Sequence, residues 1–297
     1  MTIRWGVSPI AWANDDMPEL GKDTTLDMLL NDVREIGFEG VELGHKFPRE
    51  AFALKPIMAN YGLDIVGGWY SASLLVRDAD AEIAALADHL ALLEAMGSTV
   101  FILAETSNAV HGDRSSQLDS HPRLSEDEWR RFGARLDAVA AHVNKRGLRF
   151  AYHHHLGTAV ETDADLRRFF DVTDSQVGLV LDTGHAFYGG IDAVKIVQER
   201  PERVNHVHCK DVRVAEHERL LADGASFLDG VVGGMFTVPG DGDYDYRPFL
   251  HALASIDYAG WIVIEAEQDP ATAEPRTYQQ LGLDTLKRLA REAGMTV

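Results

Sequence analysis

The sequence contains one cysteine, Cys209, so the chain cannot form an internal disulfide, and a reducing cytoplasm is the expected setting. Basic charge is scarce, since 47 Asp and Glu residues face 28 Lys and Arg residues and give a formal net charge of −19. Nucleic acids and anionic membranes are bound through basic faces, so neither is an expected partner. The chain also lacks an apolar run near the roughly 20 residues that cross a bilayer, and its N-terminus does not resemble a signal peptide.

The sequence also lacks linkers and low-complexity tracts, and strand and helix patterns alternate along all 297 residues. Eight strand–helix units of this kind predict an α/β fold, a single (β/α)8 TIM barrel that spans residues 1–297. Long loops are expected near 106–124 and 212–243. The alternative is a doubly wound open sheet, but the glycine-rich phosphate loop that often follows its first strand is absent.

Four strand-like segments of the second half end in residues that bind metals. They read AYHHH, LVLDTGH, NHVHCKD and WIVIEAE, and they contain His153, Asp182, His208 and Glu265. A parallel barrel brings the carboxyl ends of its strands together, and mixed imidazole and carboxylate ligands suit a divalent cation. We therefore predict a metal site of Asp182, His208 and Glu265, with His153 or His155 as the fourth ligand.

Neighbouring polar residues are candidates for proton transfer. His185 follows Asp182 closely and could hydrogen-bond a bound hydroxyl group, while Lys210 shares the strand face of His208. A cation beside Lys210 would lower the pKa of its ammonium group and suit it to acid–base work. The alternative for Lys210 is a structural salt bridge with Asp211. Glu42, at the end of the second strand, completes the set of predicted catalytic residues.

Aromatic and polar residues at other strand ends would suit a polyol ring, which offers apolar C–H faces and hydroxyl edges. The predicted substrate-binding residues are Trp12, Lys46, Trp69, Glu105, His155 and Arg213.

Longer motifs give the chain a resemblance to a known family. Asp-x-x-His on strand six, His on strand seven and Gly-x-x-x-x-Glu on strand eight resemble the xylose isomerase-like TIM barrel superfamily. Within it, the chain is similar to the inosose dehydratases of myo-inositol catabolism, through GVSPIAWANDD, VELGHKFPR, GGWYS, HHHLGT, LDTGHAFYGG, VHCKDVR, FTVPGDGDYDY and IEAEQDP.

This resemblance implies dehydration of scyllo-inosose, a cyclic polyol ketone, to a trihydroxycyclohexane-1,2-dione. It also implies manganese or cobalt as the divalent metal and glutathione as a further cofactor. The four ligands of the superfamily are usually Glu, Asp, His and Glu, so His153 would replace a glutamate here. The sequence leaves open whether the chain forms a homo-oligomer.

Three other functions compete with this interpretation. A sugar or inosose epimerase or isomerase would use the same barrel and the same first proton abstraction, and ligand residues cannot separate it from a dehydratase. A metal-dependent nuclease is disfavoured by the charge of −19. A non-catalytic sugar-binding protein would not require so many metal-binding residues at strand ends.

Overall fold

Eight parallel strands close into a barrel in the computed structural model, which describes residues 2–296. These eight strands and two shorter ones outside the barrel are, in chain order, β1 (Ile3–Val7), β2 (Gly40–Leu43), β3 (Asp64–Ala72), β4 (Val100–Glu105), β5 (Arg149–His153), β6 (Gly178–Asp182), β7 (Val204–Cys209), β8 (Asp211–Val212), β9 (Phe236–Thr237) and β10 (Gly260–Ile264). The barrel order is β1-β10-β7-β6-β5-β4-β3-β2, whereas β8 and β9 form a separate antiparallel pair. The predicted fold is confirmed.

Helices follow the barrel strands and cover the outside of the barrel. They are α1 (Leu26–Ile36), α2 (Ala51–Tyr61), α3 (Ala79–Ala85), α4 (Ala87–Met96), α5 (Glu126–Lys145), α6 (Asp163–Val172), α7 (Thr183–Tyr188), α8 (Ala193–Glu199), α9 (Val214–Ala222), α10 (Phe227–Val232), α11 (Tyr246–Ser255) and α12 (Pro275–Glu292). Within residues 2–296, no helix combines the length and the apolar character needed to span a membrane.

Alternation along the strands divides the core into two layers. Leu179 and Leu181 of β6 pack outward in the large cluster shared with the helices, while Val180 lies in a smaller cluster inside the barrel. Successive strand side chains point to opposite faces, so Asp182 follows Val180 on the inner face at the carboxyl end. β5 and β10 show the same alternation, and Val207 and Cys209 of β7 pack outward, so His153, His208 and Glu265 point inward.

A third hydrophobic cluster lies on the segments that join the strands. It combines Met17, Leu118, Leu156 and apolar residues of 212–236, including Phe227 and Phe236. Residues 212–243, expected to form a long loop, instead contain the β8–β9 pair and the helices α9 and α10. The apolar residues of α9 and α10 recur at helical spacing, so each helix can pack one apolar face against this cluster. Burial of these faces stabilises the two short helices.

Gly157 permits a close approach between two of these segments. Its φ is +72°, and an added Cβ would lie 2.8 Å from the backbone nitrogen of His111. We expect Gly157→Ala to lower the free energy of unfolding by about 1–3 kcal/mol, because backbone strain and a steric clash combine. Chemical denaturation would measure this loss. Gly62→Ala is the control, since Gly62 has a φ of +66° and, among residues 2–296, no tertiary neighbour within 4 Å of its Cβ position. Equal losses in the two variants would contradict a contribution from the close approach.

Candidate active site and metal centre

Four side chains from four strand ends converge at the mouth of the barrel. His153, Asp182, His208 and Glu265 are buried, and each offers one donor atom within 4.8 Å of the others. His208 Nδ1 lies 3.2 Å from His153 Nε2, 3.3 Å from Glu265 Oε2 and 3.6 Å from Asp182 Oδ2. His153 Nε2 lies 4.0 Å from Asp182 Oδ2 and 3.9 Å from Glu265 Oε2. Parallel pairing places Asp182 directly beside His208 in the sheet.

This spacing fits a single cation. Donor atoms at 2.0–2.2 Å from the centre of a tetrahedron lie about 3.3–3.6 Å from one another.

The hydrogen bonds of Asp182 leave one of its two carboxylate oxygens free to bind a metal. Its Oδ1 accepts from the backbone N–H groups of Gly184 and His185, each at 2.9 Å, and so caps α7. Its Oδ2 is buried and has no hydrogen-bond partner among residues 2–296.

Neighbouring groups orient the two histidines. His153 Nδ1 lies 2.6 Å from the carbonyl oxygen of His154, which leaves Nε2 directed at the cluster. Burial and the proximity of His208 lower the pKa of His153 to about 3, so its ring is neutral, the form that binds metals. His208 Nε2 lies 3.0 Å from Glu42 Oε1, an arrangement that fixes the ring and increases its strength as a ligand.

Glu42 therefore holds histidines in position. Its Oε1 also lies 2.9 Å from His206 Nε2, so two imidazoles share one carboxylate oxygen. Burial raises the pKa of Glu42, but His208 and His206 outweigh burial and lower it to about 2. Glu42 is thus an anion committed to these two rings, although it also borders the cavity described below.

Lys210 lies between the metal-binding candidates and a second buried group, His155, His185 and Glu267. Its Nζ is 2.5 Å from Glu267 Oε2, 2.8 Å from His185 Nε2 and 2.9 Å from Glu265 Oε2. Burial lowers the pKa of Lys210, but Asp182, Glu265 and Glu267 outweigh burial and raise it. These three carboxylates favour the charged form of Lys210, whereas a cation bound nearby would act in the opposite direction. The ion-pair partners of Lys210 are these carboxylates, whereas Asp211 accepts from the backbone N–H groups of Val212, Gly240 and Tyr244.

A cavity opens beside the metal-binding candidates. Its polar and aromatic lining consists of Ser8, Asp15, Asp16, Glu42, Trp69, His111, His155, His208, Glu265 and Glu267. The predicted substrate-binding residues Trp69 and His155 are among them, with ring centroids 5.8 Å apart. Trp69 also meets His153 edge-on at 5.2 Å. The cavity thus has an aromatic wall, a histidine-rich base and several carboxylates, a lining suited to a small polar ring.

Four other predicted substrate-binding residues do not line this cavity. Trp12 donates from Nε1 to Asp32 at 2.9 Å, and Lys46 Nζ donates to the carbonyl oxygen of Lys22 at 2.9 Å. Glu105 accepts from the backbone N–H of Ser107 at 2.9 Å, and Arg213 contacts Asp241 and Gly234. Glu105 has the same parity along β4 as Leu103, which packs outward, so its side chain leaves the barrel interior.

Several residues at the site were not predicted from the sequence. Glu267 and His206 each lie two positions from a predicted ligand, and the strand period could have revealed them. Asp16 and His111 come from connecting segments and carry no such signal. They reach the cavity only through the packing of those segments.

Comparisons with known proteins agree with this architecture. A model of the xylose isomerase-like TIM barrel family matches residues 30–292. The chain is 42% identical to rhizopine catabolism protein MocC of Rhizobium meliloti over 99% of the chain and 90% of that protein. It is 40% identical to inosose dehydratase of Lacticaseibacillus casei over 94% of each chain. Among solved structures, an L-ribulose 3-epimerase superposes with a TM-score of 0.69 at 17% identity, with 99% of this chain and 96% of that chain covered. The chain therefore belongs to the xylose isomerase-like TIM barrel family and is an enzyme of the dehydratase class within it.

Proposed function

We propose that this protein is a metal-dependent inosose dehydratase of myo-inositol catabolism, which converts scyllo-inosose to a trihydroxycyclohexane-1,2-dione and water. The observation that carries the proposal is the convergence of four buried donor atoms beside a polar, aromatic-walled cavity. Relatives named inosose dehydratase, which align with nearly the whole chain, support the choice of substrate. The proposal includes a cytoplasmic location and a single barrel domain over residues 1–297.

The proposed ligands are His153, Asp182, His208 and Glu265, and manganese or cobalt is the proposed metal. A divalent cation held there would polarise the ketone of the substrate and stabilise the negative charge that develops on its oxygen. His155 is the alternative fourth ligand, but its group with His185 and Glu267 is separate from the Asp182 group. Glutathione stays a prediction from the resemblance.

The protein's own groups would bind and orient the rest of the substrate. Trp69 would pack against the C–H face of the ring, and His155 would hydrogen-bond a hydroxyl group. The Lys210 ammonium group, held by Glu265 and Glu267, would add positive charge beside the developing oxyanion. His185 would keep Lys210 in place through the 2.8 Å contact between its Nε2 and Lys210 Nζ.

Incubation of the purified protein with scyllo-inosose and manganese or cobalt tests this function. We expect a product lighter than the substrate by one water, detected by mass spectrometry, and its formation should stop when a chelator removes the metal. A control incubation omits the protein. An isomer of unchanged mass would identify the epimerase or isomerase alternative instead, and a protein without bound divalent metal would refute the proposed centre.

A further inference from the structure

Two side chains from connecting segments border the same cavity as the metal-binding candidates. Asp16 belongs to the segment between β1 and α1, and His111 belongs to residues 106–124 between β4 and α5. Neither segment is part of the barrel wall. Both contribute to the third hydrophobic cluster, through Met17 and Leu118 respectively. Packing of this cluster therefore determines where the two side chains lie.

The local backbone fixes Asp16 while leaving its carboxylate free. Asn14 Oδ1 accepts from the backbone N–H groups of Asp16 and Met17, each at 2.8 Å, and so forms a tight turn. The carboxylate of Asp15, the preceding residue, is by contrast engaged in contacts with His45. This carboxylate accepts from the backbone N–H of His45 at 3.1 Å and lies 2.5 Å from His45 Nδ1. Within residues 2–296, no hydrogen bond or ion pair engages the Asp16 carboxylate.

His111 is held in a comparable way. The preceding residue, Val110, donates its backbone N–H to the carbonyl oxygen of Gly157 at 2.8 Å. The His111 ring lies 5.0 Å from the His155 ring and 6.1 Å from Phe227, between centroids. Its Nδ1 is buried and has no hydrogen-bond partner in the described part of the chain. A buried ring nitrogen without a partner is costly unless a ligand satisfies it.

Each of these two groups shifts the pKa of the other. Burial raises the pKa of Asp16, and His111 lowers it. Burial lowers the pKa of His111, and Asp16 raises it. Although the Asp16 side chain is exposed to the cavity, the protein around it removes part of its solvation. Each group thus influences the charge of the other.

The remaining polar groups of the site already have partners. Glu42 is committed to His206 and His208, and Glu267 is committed to Lys210. Lys210 and His185 contact each other and do not line the cavity. Dehydration of a hydroxyketone requires groups that reach the substrate and can exchange a proton. Asp16 and His111 meet both conditions.

Resting on the proposed function, we propose that Asp16 and His111 are the proton-transfer pair of the dehydration. Asp16 accepts the proton from the carbon beside the ketone, and the electron pair of that C–H bond forms the enolate. Asp16 then releases this proton to solvent, and His111, protonated from solvent, donates a proton to the hydroxyl group on the next carbon as its C–O bond breaks. The donated proton and the departing hydroxide make the released water, and the proton that Asp16 releases replaces the one that His111 takes up, so the step balances. The enol product then becomes the second ketone by exchange with solvent.

The test compares Asp16→Asn with Asp23→Asn, which makes the same charge change at an exposed residue of the same segment that does not line the cavity. We expect Asp16→Asn to lower kcat about 10²–10⁴-fold, because a proton acceptor is lost, while KM changes by only a small factor. Asp23→Asn should keep kcat within about threefold of the wild type, well below the loss expected from a general base. Metal content and the thermal unfolding midpoint should match the wild type in both variants.

His111→Gln separates the two halves of the reaction. In deuterated water, recovered substrate should still acquire deuterium beside the ketone in His111→Gln, whereas release of water falls. Asp16→Asn should lose both exchange and water release. Equal kcat in the two aspartate variants, or a change in KM alone, would overturn the pair.

Failure of the proposed function gives a different result. A wild-type protein that converts the ketone to an isomer would refute dehydration, yet deuterium exchange would still test Asp16 as the base in the same comparison. A wild-type protein that catalyses neither exchange nor water loss would refute both proposals. If Asp16→Asn does not fold, a normal rate of water release in folded His111→Gln would still overturn the pair.

Discussion

Replacement of Asp182 with asparagine is expected to remove bound metal and activity together. Asp182 Oδ2 is the anionic donor directed at the cluster, whereas Oδ1 caps α7 through Gly184 and His185. An asparagine carbonyl can accept the same two capping hydrogen bonds, so the fold should survive. Loss of one charged ligand from a set of four should reduce metal affinity steeply. We expect metal stoichiometry near zero after dialysis and no detectable turnover.

Metal analysis and thermal unfolding in parallel would check this result. Asp182→Ala removes both the ligand and the cap, and should also lose about 1 kcal/mol of stability. Asp192→Ala is the matched control, because Asp192 caps α8 through Lys195 at 3.0 Å and lies outside the site. It should show a similar loss of stability with normal metal content. Full metal stoichiometry in folded Asp182→Asn would sink the ligand assignment.

Replacement of Lys210 with methionine is expected to have the second large effect. The aliphatic part of the Lys210 side chain packs against Gly184, and a Cβ added to Gly184 would lie 2.7 Å from Lys210 Cγ. A replacement for Lys210 therefore needs a side chain of similar length to preserve this packing. Methionine fills this space but leaves Glu265 and Glu267 without their ammonium partner. Loss of one partner from a buried charge pair costs about 3–5 kcal/mol. We further expect kcat to fall about 10²–10³-fold, because a positive group beside the developing oxyanion is lost.

Metal content distinguishes this role from that of a ligand. Lys210→Met should retain its divalent metal, in contrast to Asp182→Asn, while its turnover falls. Lys195→Met is the control on an exposed lysine whose sole ion-pair partner among residues 2–296 is Glu199, at 3.7 Å, and it should behave as wild type. Normal turnover in Lys210→Met would contradict an electrostatic role, and loss of metal would instead assign Lys210 to holding Glu265 in place.

Strand periodicity made much of the site accessible from the sequence. Side chains alternate along a strand, and a parallel barrel gathers the carboxyl ends, so the sequence predicts that Asp182, His208 and Glu265 lie together. The same rule explains a wrong expectation: Glu105 follows Leu103 on the outward face of β4 and does not reach the cavity. Residues outside the strands, such as Trp12 and Arg213, had no such rule to guide them.

Through-space electrostatics also lay beyond the sequence. The carboxylates that raise the pKa of Lys210 include Glu265 and Glu267, which follow β10 and lie far along the chain from Lys210. The sequence placed Glu42 among the predicted catalytic residues. Its pairing with His206 and His208 depends on how the barrel closes. Distances between separate strands decide such roles, and no local pattern encodes them.

The sequence by itself predicted the barrel and placed Asp182, His208 and Glu265 together at its mouth, with His153 or His155 as the fourth residue, because hydrophobic period and the order of strands and helices can be read along the chain. Only the tertiary structure showed that Asp16 and His111 line the cavity. Asp16 and His111 are placed by the packing of Met17, Leu118 and the helices of 212–243, and by the room that Gly157 leaves for the His111 backbone. Contacts between segments distant in the chain determine that geometry, so only the folded molecule reveals it.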